Sequence, residues 1–185
     1  LQREIDQLYL NASNKGQAQA RVELILEPGE YLINDTIYLP PFTTIRGAGK
    51  DKTIINAGNH VAFETVNETS TPGVYASDAT STTLNQARDI SISVLTINTT
   101  QGPGLNLVSC KDSKFTDIVL SGDYTLGDDI DVNSNGIKLT SLSTAVSSNN
   151  NLFTNVEIRK FATAVYSDND IANNTWSKCT FDTLY

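Results

Sequence analysis

Apolar residues recur at matching positions in four short segments, and each segment alternates between apolar and polar positions as a β-strand does. The segments begin at Ile92, Phe115, Phe153 and Trp176, and two of the intervals between them are 23 residues long. The first, fourth and sixth positions are apolar, the second carries a hydroxyl group, and the fifth is mixed. Because the first and fourth positions lie three residues apart, the alternation slips between them, which predicts a bend inside each segment.

A second apolar strand accounts for the one longer interval, of 38 residues, between Phe115 and Phe153. It recurs as Gly104–Leu107, Gly136–Leu139 and Ala164–Ser167, and the connections on both sides of its second copy are longer than those of the first. One long and one short strand in every repeat cannot bury an apolar face alone. Stacking the repeats ~4.8 Å apart would align like residues and create a continuous core.

The pattern therefore predicts an all-β protein, a single-stranded parallel β-helix or solenoid. A β-sandwich, which also has short alternating strands separated by turns, is the alternative fold. It does not predict columns of like residues at multiples of one spacing, so the coil is favoured. A helical bundle is excluded because no window after residue 20 keeps an apolar period of 3.6 residues.

The first ten residues carry a different pattern, with apolar side chains at positions 1, 5, 8 and 10. This spacing predicts an amphipathic helix, and we expect it to cap the open end of the coil over residues 1–14, where strand edges would otherwise be bare. The rungs are expected over 20–185, in one domain spanning 1–185. The chain has no Met, opens within a helical pattern and ends on a strand pattern. We therefore expect it to be truncated at both ends of a longer polypeptide.

Residues 1 to about 56 resemble the opening of pectate-lyase-like β-helix domains, including those of phage tailspikes. The resemblance rests on a Pro-Gly-x-Tyr turn at Pro28–Tyr31, a strand ending at Pro40, a Gly-x-Gly turn at Gly47–Gly49, and Thr53-Ile54. We expect positive φ angles at both glycines of the second turn. A phosphate-cradling loop is the other interpretation of this turn, and it is disfavoured because no helix follows.

The resemblance implies a right-handed coil and a phage tail spike or tail fibre that engages host cell-surface polysaccharide. It also implies a homotrimer and a place in the extracellular virion tail. Two alternatives remain open: a secreted polysaccharide-degrading enzyme, either glycoside hydrolase or lyase, and a purely structural virion protein. The sequence alone does not decide whether the chain is an enzyme.

Composition narrows the range of partners. Only 18% of the residues are charged and the net charge is −8, a balance that repels nucleic acids and anionic lipids. No run of 18 apolar residues indicates a membrane span. Neither nucleic acid nor membrane is expected as a partner, whereas a host polysaccharide is.

The two cysteines, Cys110 and Cys179, are widely separated in the sequence. A disulfide between them remains an open alternative, but Cys179 falls in an apolar column and a buried thiol is favoured there.

One inserted loop, from Ser121 to Asn135, concentrates carboxylates. Glycosidic bond hydrolysis commonly uses two carboxylates, ~5–5.5 Å apart for retention and ~6.5–9.5 Å apart for inversion. The candidate catalytic residues are therefore the four aspartates of this loop: Asp123, Asp128, Asp129 and Asp131. Turn formation is the competing interpretation, because Asp, Asn and Gly are ordinary turn residues.

The candidate binding residues lie in and beyond the same loop. Tyr124 and Tyr166 offer rings on which sugars stack, and Arg159 and Lys160 follow a core position and are expected to project from the coil wall. No metal site and no cofactor are predicted, although a loosely bound calcium ion held by the loop aspartates remains open. An EF-hand beginning at Asp131 is rejected, because its twelfth position is Leu142 where a bidentate Glu is needed.

Overall fold

The computed structural model describes residues 1–11, 22–69, 73–75, 79–125, 128, 133–168 and 170–182. Within these ranges the protein is nearly all β, with one helix, α1 (Gln2–Asn11), and fourteen strands. In chain order the strands are β1 (Val22–Ile25), β2 (Gly29–Leu32), β3 (Ile37–Leu39), β4 (Thr43–Arg46), β5 (Thr53–Asn56), β6 (Phe63–Thr65), β7 (Ser91–Asn98), β8 (Leu105–Val108), β9 (Lys114–Ser121), β10 (Asn135–Thr140), β11 (Leu152–Arg159), β12 (Thr163–Ser167), β13 (Thr175–Ser177) and β14 (Thr180–Asp182). No helix in the described ranges has the length and apolar character that a bilayer crossing requires.

The described strands form two parallel sheets. The first sheet contains nine strands, with β7, β9 and β11 at its centre, and the second contains five in the order β12-β10-β8-β6-β3. From β7 onward the chain alternates between the two sheets, and successive strands of each sheet pair in parallel. This confirms an all-β chain built from parallel strands and is consistent with a β-helix. The handedness and closure of a coil stay predictions.

The predicted apolar columns are confirmed by the strand register. Ile92 lies opposite Phe115, Phe115 opposite Phe153, and Phe153 opposite Trp176. The two phenylalanine rings stack with centroids 5.0 Å apart and planes 14° from parallel. Ile92, Phe115 and Phe153 are fully buried in one core that runs through all the repeats.

The predicted bend inside each long segment is also present. Val94, Asp117, Asn155 and Lys178 occupy equivalent positions and have φ angles of 61°, 55°, 54° and 55°. A single left-handed residue turns the backbone between two short runs of β-structure, which is why the in-and-out alternation slips by one residue there.

The Gly-x-Gly turn differs in part from its prediction. Gly49 has a φ of 157°, but Gly47 has no positive φ, so the prediction for Gly47 is wrong. A Cβ atom on Gly47 would instead collide with the carbonyl oxygen of Val94 in the next repeat and with the side chain of Leu95. The glycine is needed for close approach between repeats, at the bend of β7.

The short strands of the second sheet follow the predicted alignment. Leu105 lies opposite Ile137, and Ile137 lies opposite Val165. The residues between them point outward, so that Asn106 lies opposite Lys138, and Lys138 opposite Tyr166. The outer face of this sheet therefore carries a polar column beside the turns that join the two sheets.

The helix α1 packs against the first strands of both sheets. Ile5 and Tyr9 are buried in the core, and the side chain of Gln2 accepts a hydrogen bond from the backbone nitrogen of Tyr38 at 2.6 Å. Position 12 and the rest of the predicted helix to residue 14 lie outside the described residues.

Cys110 and Cys179 are both free thiols, the first buried and the second half-buried against the core.

Candidate functional site

Two of the four candidate aspartates line one surface cavity. Asp123 and Asp128, both exposed, border a cavity of about 420 Å³ together with the half-buried Tyr124. Asp129 and Asp131 lie outside the described residues. A pair of carboxylates beside an aromatic ring is a suitable arrangement for contacting a sugar, because the carboxylates accept hydroxyl hydrogen bonds and the ring packs on C–H groups.

The backbone of the next repeat holds this loop in place. Gly122 and Tyr124 donate backbone hydrogen bonds to the carbonyl oxygens of Arg159 and Lys160, each at 3.0 Å. A Cβ atom on Gly122 would collide with the Lys160 carbonyl oxygen, so this approach requires glycine. The parallel pairing of β9 with β11 therefore continues past the end of β9 and positions Asp123 at the cavity.

Asp128 closes a tight turn with Thr125. The backbone nitrogen of Thr125 donates to the Asp128 carboxylate at 2.9 Å, and the backbone nitrogen of Asp128 donates to the Thr125 carbonyl oxygen at 3.0 Å. Asp128 is thus a turn residue, as the competing interpretation held, and it also faces the cavity.

The opposite wall of the cavity comes from two earlier turns. Asn59 follows β5, and Thr100 and Gln101 follow β7. Thr100 joins these turns, because its hydroxyl donates to the Asn59 side chain at 2.5 Å and its backbone nitrogen donates to the Gly58 carbonyl oxygen at 2.7 Å. Three successive repeats therefore contribute to one polar surface at the corner between the sheets.

This cavity is continuous with two others. A cavity of about 320 Å³ on the first-sheet side shares Thr100 and Asp123 with it. A cavity of about 280 Å³ on the second-sheet side shares Asn59 and Gln101. We call the three together the corner groove. Its remaining lining residues are Leu32, Asn56, Gly58, Val61, Asn98, Thr99, Gly102, Pro103, Asn106, Ser121, Gly122, Tyr124, Asp128, Asn133, Ser134 and Lys138.

Two oxygen atoms in the groove wall lack a hydrogen-bond partner within the described part of the chain. They are Thr99 Oγ1 on the first-sheet side and Asn106 Oδ1 on the second-sheet side. Thr99 is only 3% exposed, and the Asn106 amide group donates to Glu64 at 2.7 Å. An unpaired buried polar atom costs about 1–3 kcal/mol. Both atoms have less than 1 Å² of accessible surface, so they lie behind the surface of the groove and a ligand does not contact them.

The charges around the groove are mainly negative. Asp123 and Asp128 line its centre, and Glu64 lies beside Asn106 at one side. Lys138 is the basic side chain among the described lining residues, and its ammonium group lies 5.8 Å from the ring centre of Tyr166. The groove is therefore rich in hydrogen-bond acceptors.

The other predicted binding residues lie near the groove but do not line it. Tyr166 is 44% exposed on the outer face of β12, one strand beyond Lys138. Arg159 pairs with Glu157 at 3.1 Å, and the two side chains are 45% and 38% exposed, so this ion pair is weak. Lys160 is an exposed turn residue with a φ of 55°. The contribution of Arg159 and Lys160 to the site is their backbone.

Sequence reasoning missed the lining residues contributed by the earlier turns, chiefly Asn59, Gln101 and Thr99. Asn106 could have been found, because it lies between two inward-facing leucines of a predicted strand and must point outward. Among the described residues no group of three or more His, Cys, Asp or Glu side chains is placed to hold a metal ion. The calcium prediction is untested, because two of its aspartates lie outside those residues.

Comparison with known proteins gives likenesses of fold. No protein-family model matches the chain, and no curated protein matches it. The solved structure of ORF18 of Geobacillus virus E2 is similar, with a TM-score of 0.53 and 15% identity, over 85% of this chain and 34% of that one. The catalytic domain of a GH87 α-1,3-glucanase in complex with nigerose is similar over 98% of this chain and 36% of that one, also with a TM-score of 0.53 and 15% identity.

A D1069A form of the same glucanase domain gives a TM-score of 0.52 with equal identity and coverage. This chain therefore spans about a third of the length of each solved chain it matches. At 15% identity these likenesses concern the fold. The chain is similar in fold to a phage protein and to a glycoside hydrolase.

Proposed function

We propose that this chain is part of a phage tail spike or tail fibre and that its corner groove engages polysaccharide on the host cell surface. In this proposal the two sheets form a single right-handed β-helix of the pectate-lyase-like type, capped by α1, in an extracellular virion tail. The likeness to the phage ORF18 protein supports the virion association.

One observation carries the binding proposal. Three successive repeats line a continuous polar groove that contains an aromatic ring, two carboxylates and several amide and hydroxyl side chains. Carbohydrate sites combine stacking surfaces with planar polar groups, because sugars present both C–H faces and rings of hydroxyl groups. The groove is also formed by connections between strands, where rigid scaffolds commonly carry binding residues.

The test is adsorption of the purified chain to host cells and to their isolated surface polysaccharide. We expect Tyr124→Ala and Gln101→Ala each to weaken adsorption by about tenfold, on the basis that a lost stacking or hydrogen-bond contact is worth about 1 kcal/mol or more. Gln7→Ala on the exposed face of α1 is the matched control and should change nothing. Equal adsorption by all these variants would refute the groove as the binding site.

Glycan cleavage is a second candidate function, favoured by the observation that Asp123 and Asp128 line the same cavity. The assay is release of reducing ends, or of unsaturated products, from host polysaccharide. If the groove is catalytic, Asp123→Asn or Asp128→Asn should abolish most activity, whereas Asp51→Asn in an exposed turn should retain it. Full activity of both groove variants would remove these residues from the catalytic candidates.

We also propose that the chain assembles as a homotrimer. Ile25 on the outer face of the first sheet is 69% exposed, and an apolar side chain of this size is commonly covered in an assembly. Light scattering should report three times the chain mass, and Ile25→Ser should shift the population toward the monomer. A monomeric wild-type chain at high concentration would count against this assembly.

A further inference from the structure

Two exposed carboxylates at the centre of the corner groove are strong hydrogen-bond acceptors. Asp123 and Asp128 only accept hydrogen bonds. The Asn98 amide group already donates to Asn56 at 2.9 Å, and the Thr100 hydroxyl already donates to Asn59. A ligand that contacts the two carboxylates must therefore supply donors.

The charges along the groove also favour a ligand without negative charge. Carboxylates lie along the length of the groove: Glu30 beside Asn56 on the first-sheet side, Asp123 and Asp128 at the centre, and Glu64 beside Asn106 on the second-sheet side. A uronate, sialate or phosphate group placed there would face like charges, with Lys138 as the basic lining residue in the described part of the chain. Sugar hydroxyl groups donate without bringing negative charge, so they satisfy both conditions.

From these observations we infer that the corner groove selects an uncharged, hydroxyl-rich glycan, built from neutral hexoses, and rejects acidic polysaccharides. The Asp123 and Asp128 carboxylates, which line the centre of the groove, accept hydrogen bonds from the ligand hydroxyl groups. This inference rests on the proposed polysaccharide binding and specifies its ligand class.

A glycan array bearing neutral hexose oligosaccharides and uronate-bearing oligosaccharides of equal length provides the test. The wild-type chain should bind a neutral oligosaccharide at least about tenfold more tightly than its uronate counterpart, because like charges in one site cost more than the roughly 1.4 kcal/mol that tenfold represents. Raising the salt concentration should reduce this preference, since the repulsion is screened.

Two sets of variants separate charge from hydrogen bonding. Asp123→Asn/Asp128→Asn keeps the shape and the Asp128 turn acceptor, and it should bring the uronate affinity to within about threefold of the neutral one as the repulsion is removed. Asp51→Asn is its matched control and should leave the preference unchanged. Gln101→Ala removes a neutral amide from the lining and should weaken the binding of neutral and uronate oligosaccharides by the same factor of about tenfold, whereas Gln7→Ala should have no effect.

The outcomes are distinct for the two proposals. If no oligosaccharide or host polysaccharide binds, polysaccharide binding itself fails and the ligand class fails with it. If acidic oligosaccharides bind as tightly as neutral ones, or if the double Asp variant leaves the preference unchanged, the ligand class is refuted while polysaccharide binding stands. Circular dichroism of each variant confirms that the comparison is made between folded proteins.

Discussion

The ring of Phe153 stacks on the indole of Trp176, with centroids 4.0 Å apart and planes 8° from parallel. The two residues are directly opposite in adjacent parallel strands. Parallel pairing brings the same position of successive repeats into register, so large side chains meet face to face. The stability of the parallel sheets therefore depends on columns of this kind.

Truncating the buried ring of this pair should be strongly destabilising. We expect Phe153→Ala to lower the free energy of unfolding by about 3–5 kcal/mol, because it removes a fully buried phenyl group and leaves a cavity between Phe115 and Trp176. Urea denaturation followed by tryptophan fluorescence measures the loss. Leu84→Ala, at a side chain that is 80% exposed, is the control and should change stability by less than about 0.5 kcal/mol. A loss of similar size in both variants would contradict the stacked core.

Two glycines are required for different reasons, one for a left-handed backbone conformation and the other for close approach between repeats. Gly58 has a φ of 55° and open space where a Cβ atom would be, so Gly58→Ala should lower the free energy of unfolding by about 1–2 kcal/mol. Gly47→Ala should cost more, because its Cβ would collide with the Val94 backbone, which cannot move without breaking the bend of β7. Thermal unfolding of the two variants provides the comparison. An equal or smaller loss for Gly47→Ala would show that the repeats separate easily.

The buried thiol should make stability depend on alkaline pH. Burial raises the pKa of Cys110 to about 12, against smaller lowering effects of its hydrogen-bond contacts with Ser113 and Thr65, whereas an unfolded thiol has a pKa of about 8.5. The folded state thus holds the thiol proton more tightly than the unfolded state does. The resulting contribution of Cys110 to the free energy of unfolding is fully present below about pH 8.5 and is lost as the pH rises toward about 12. Over that range the wild type should lose about 1.4 kcal/mol per pH unit more than Cys110→Ala.

The matched variant for this measurement is Cys179→Ala, which removes the half-buried thiol. It should show the same steep loss of stability with rising pH as the wild type. Both cysteine variants share the other titrating groups, so these cancel in the comparison. Parallel stability curves for the wild type and Cys110→Ala between pH 9 and about 11 would show that the Cys110 thiol ionises in the folded protein as readily as in the unfolded one.

The helix α1 is held by a contact with a residue far away in the sequence. The Tyr75 hydroxyl donates to both carboxylate oxygens of Asp6, at 2.8 and 2.9 Å, and its ring stacks on Tyr38. Burial, and then the hydrogen bond to Asp6, raise the pKa of Tyr75, so the bond persists in mildly alkaline solution. Tyr75→Phe keeps the ring and removes the bond.

We expect Tyr75→Phe to lower stability by about 1 kcal/mol, since the hydrogen bond is to a charged group but is partly exposed to solvent. Faster amide hydrogen exchange in α1 would locate the effect at the helix. Tyr31→Phe, which loses a hydroxyl bond to the Glu27 carbonyl oxygen in an exposed turn, is the control and should leave α1 exchange unchanged. Unchanged exchange in Tyr75→Phe would mean that the contacts of Gln2, Ile5 and Tyr9 hold α1 without the Tyr75 hydrogen bond.

The columns of like side chains could be predicted because parallel strands in register place the same position of each repeat next to its equivalent in the following repeat. Once Phe115 and Phe153 are recognised as equivalent, the inward and outward direction of each neighbouring residue follows from the strand period of two. The bend at Val94 was likewise visible as a slip in the alternation. The role of Gly47 was not, because a glycine that allows close approach and one that allows a positive φ look the same in a sequence.

The sequence by itself determined the parallel repeats, the core columns and the acidic loop, because each depends on spacing along the chain. Only the tertiary structure placed Asn59, Gln101 and Asp123 beside one another, since the paths of three turns in different repeats depend on backbone contacts between them. Only the structure, likewise, identified Thr99 and Asn106 as wall residues with unpaired oxygens. Hydrogen-bond satisfaction is a property of the surroundings of a side chain, and those surroundings are assembled from residues far apart in the sequence.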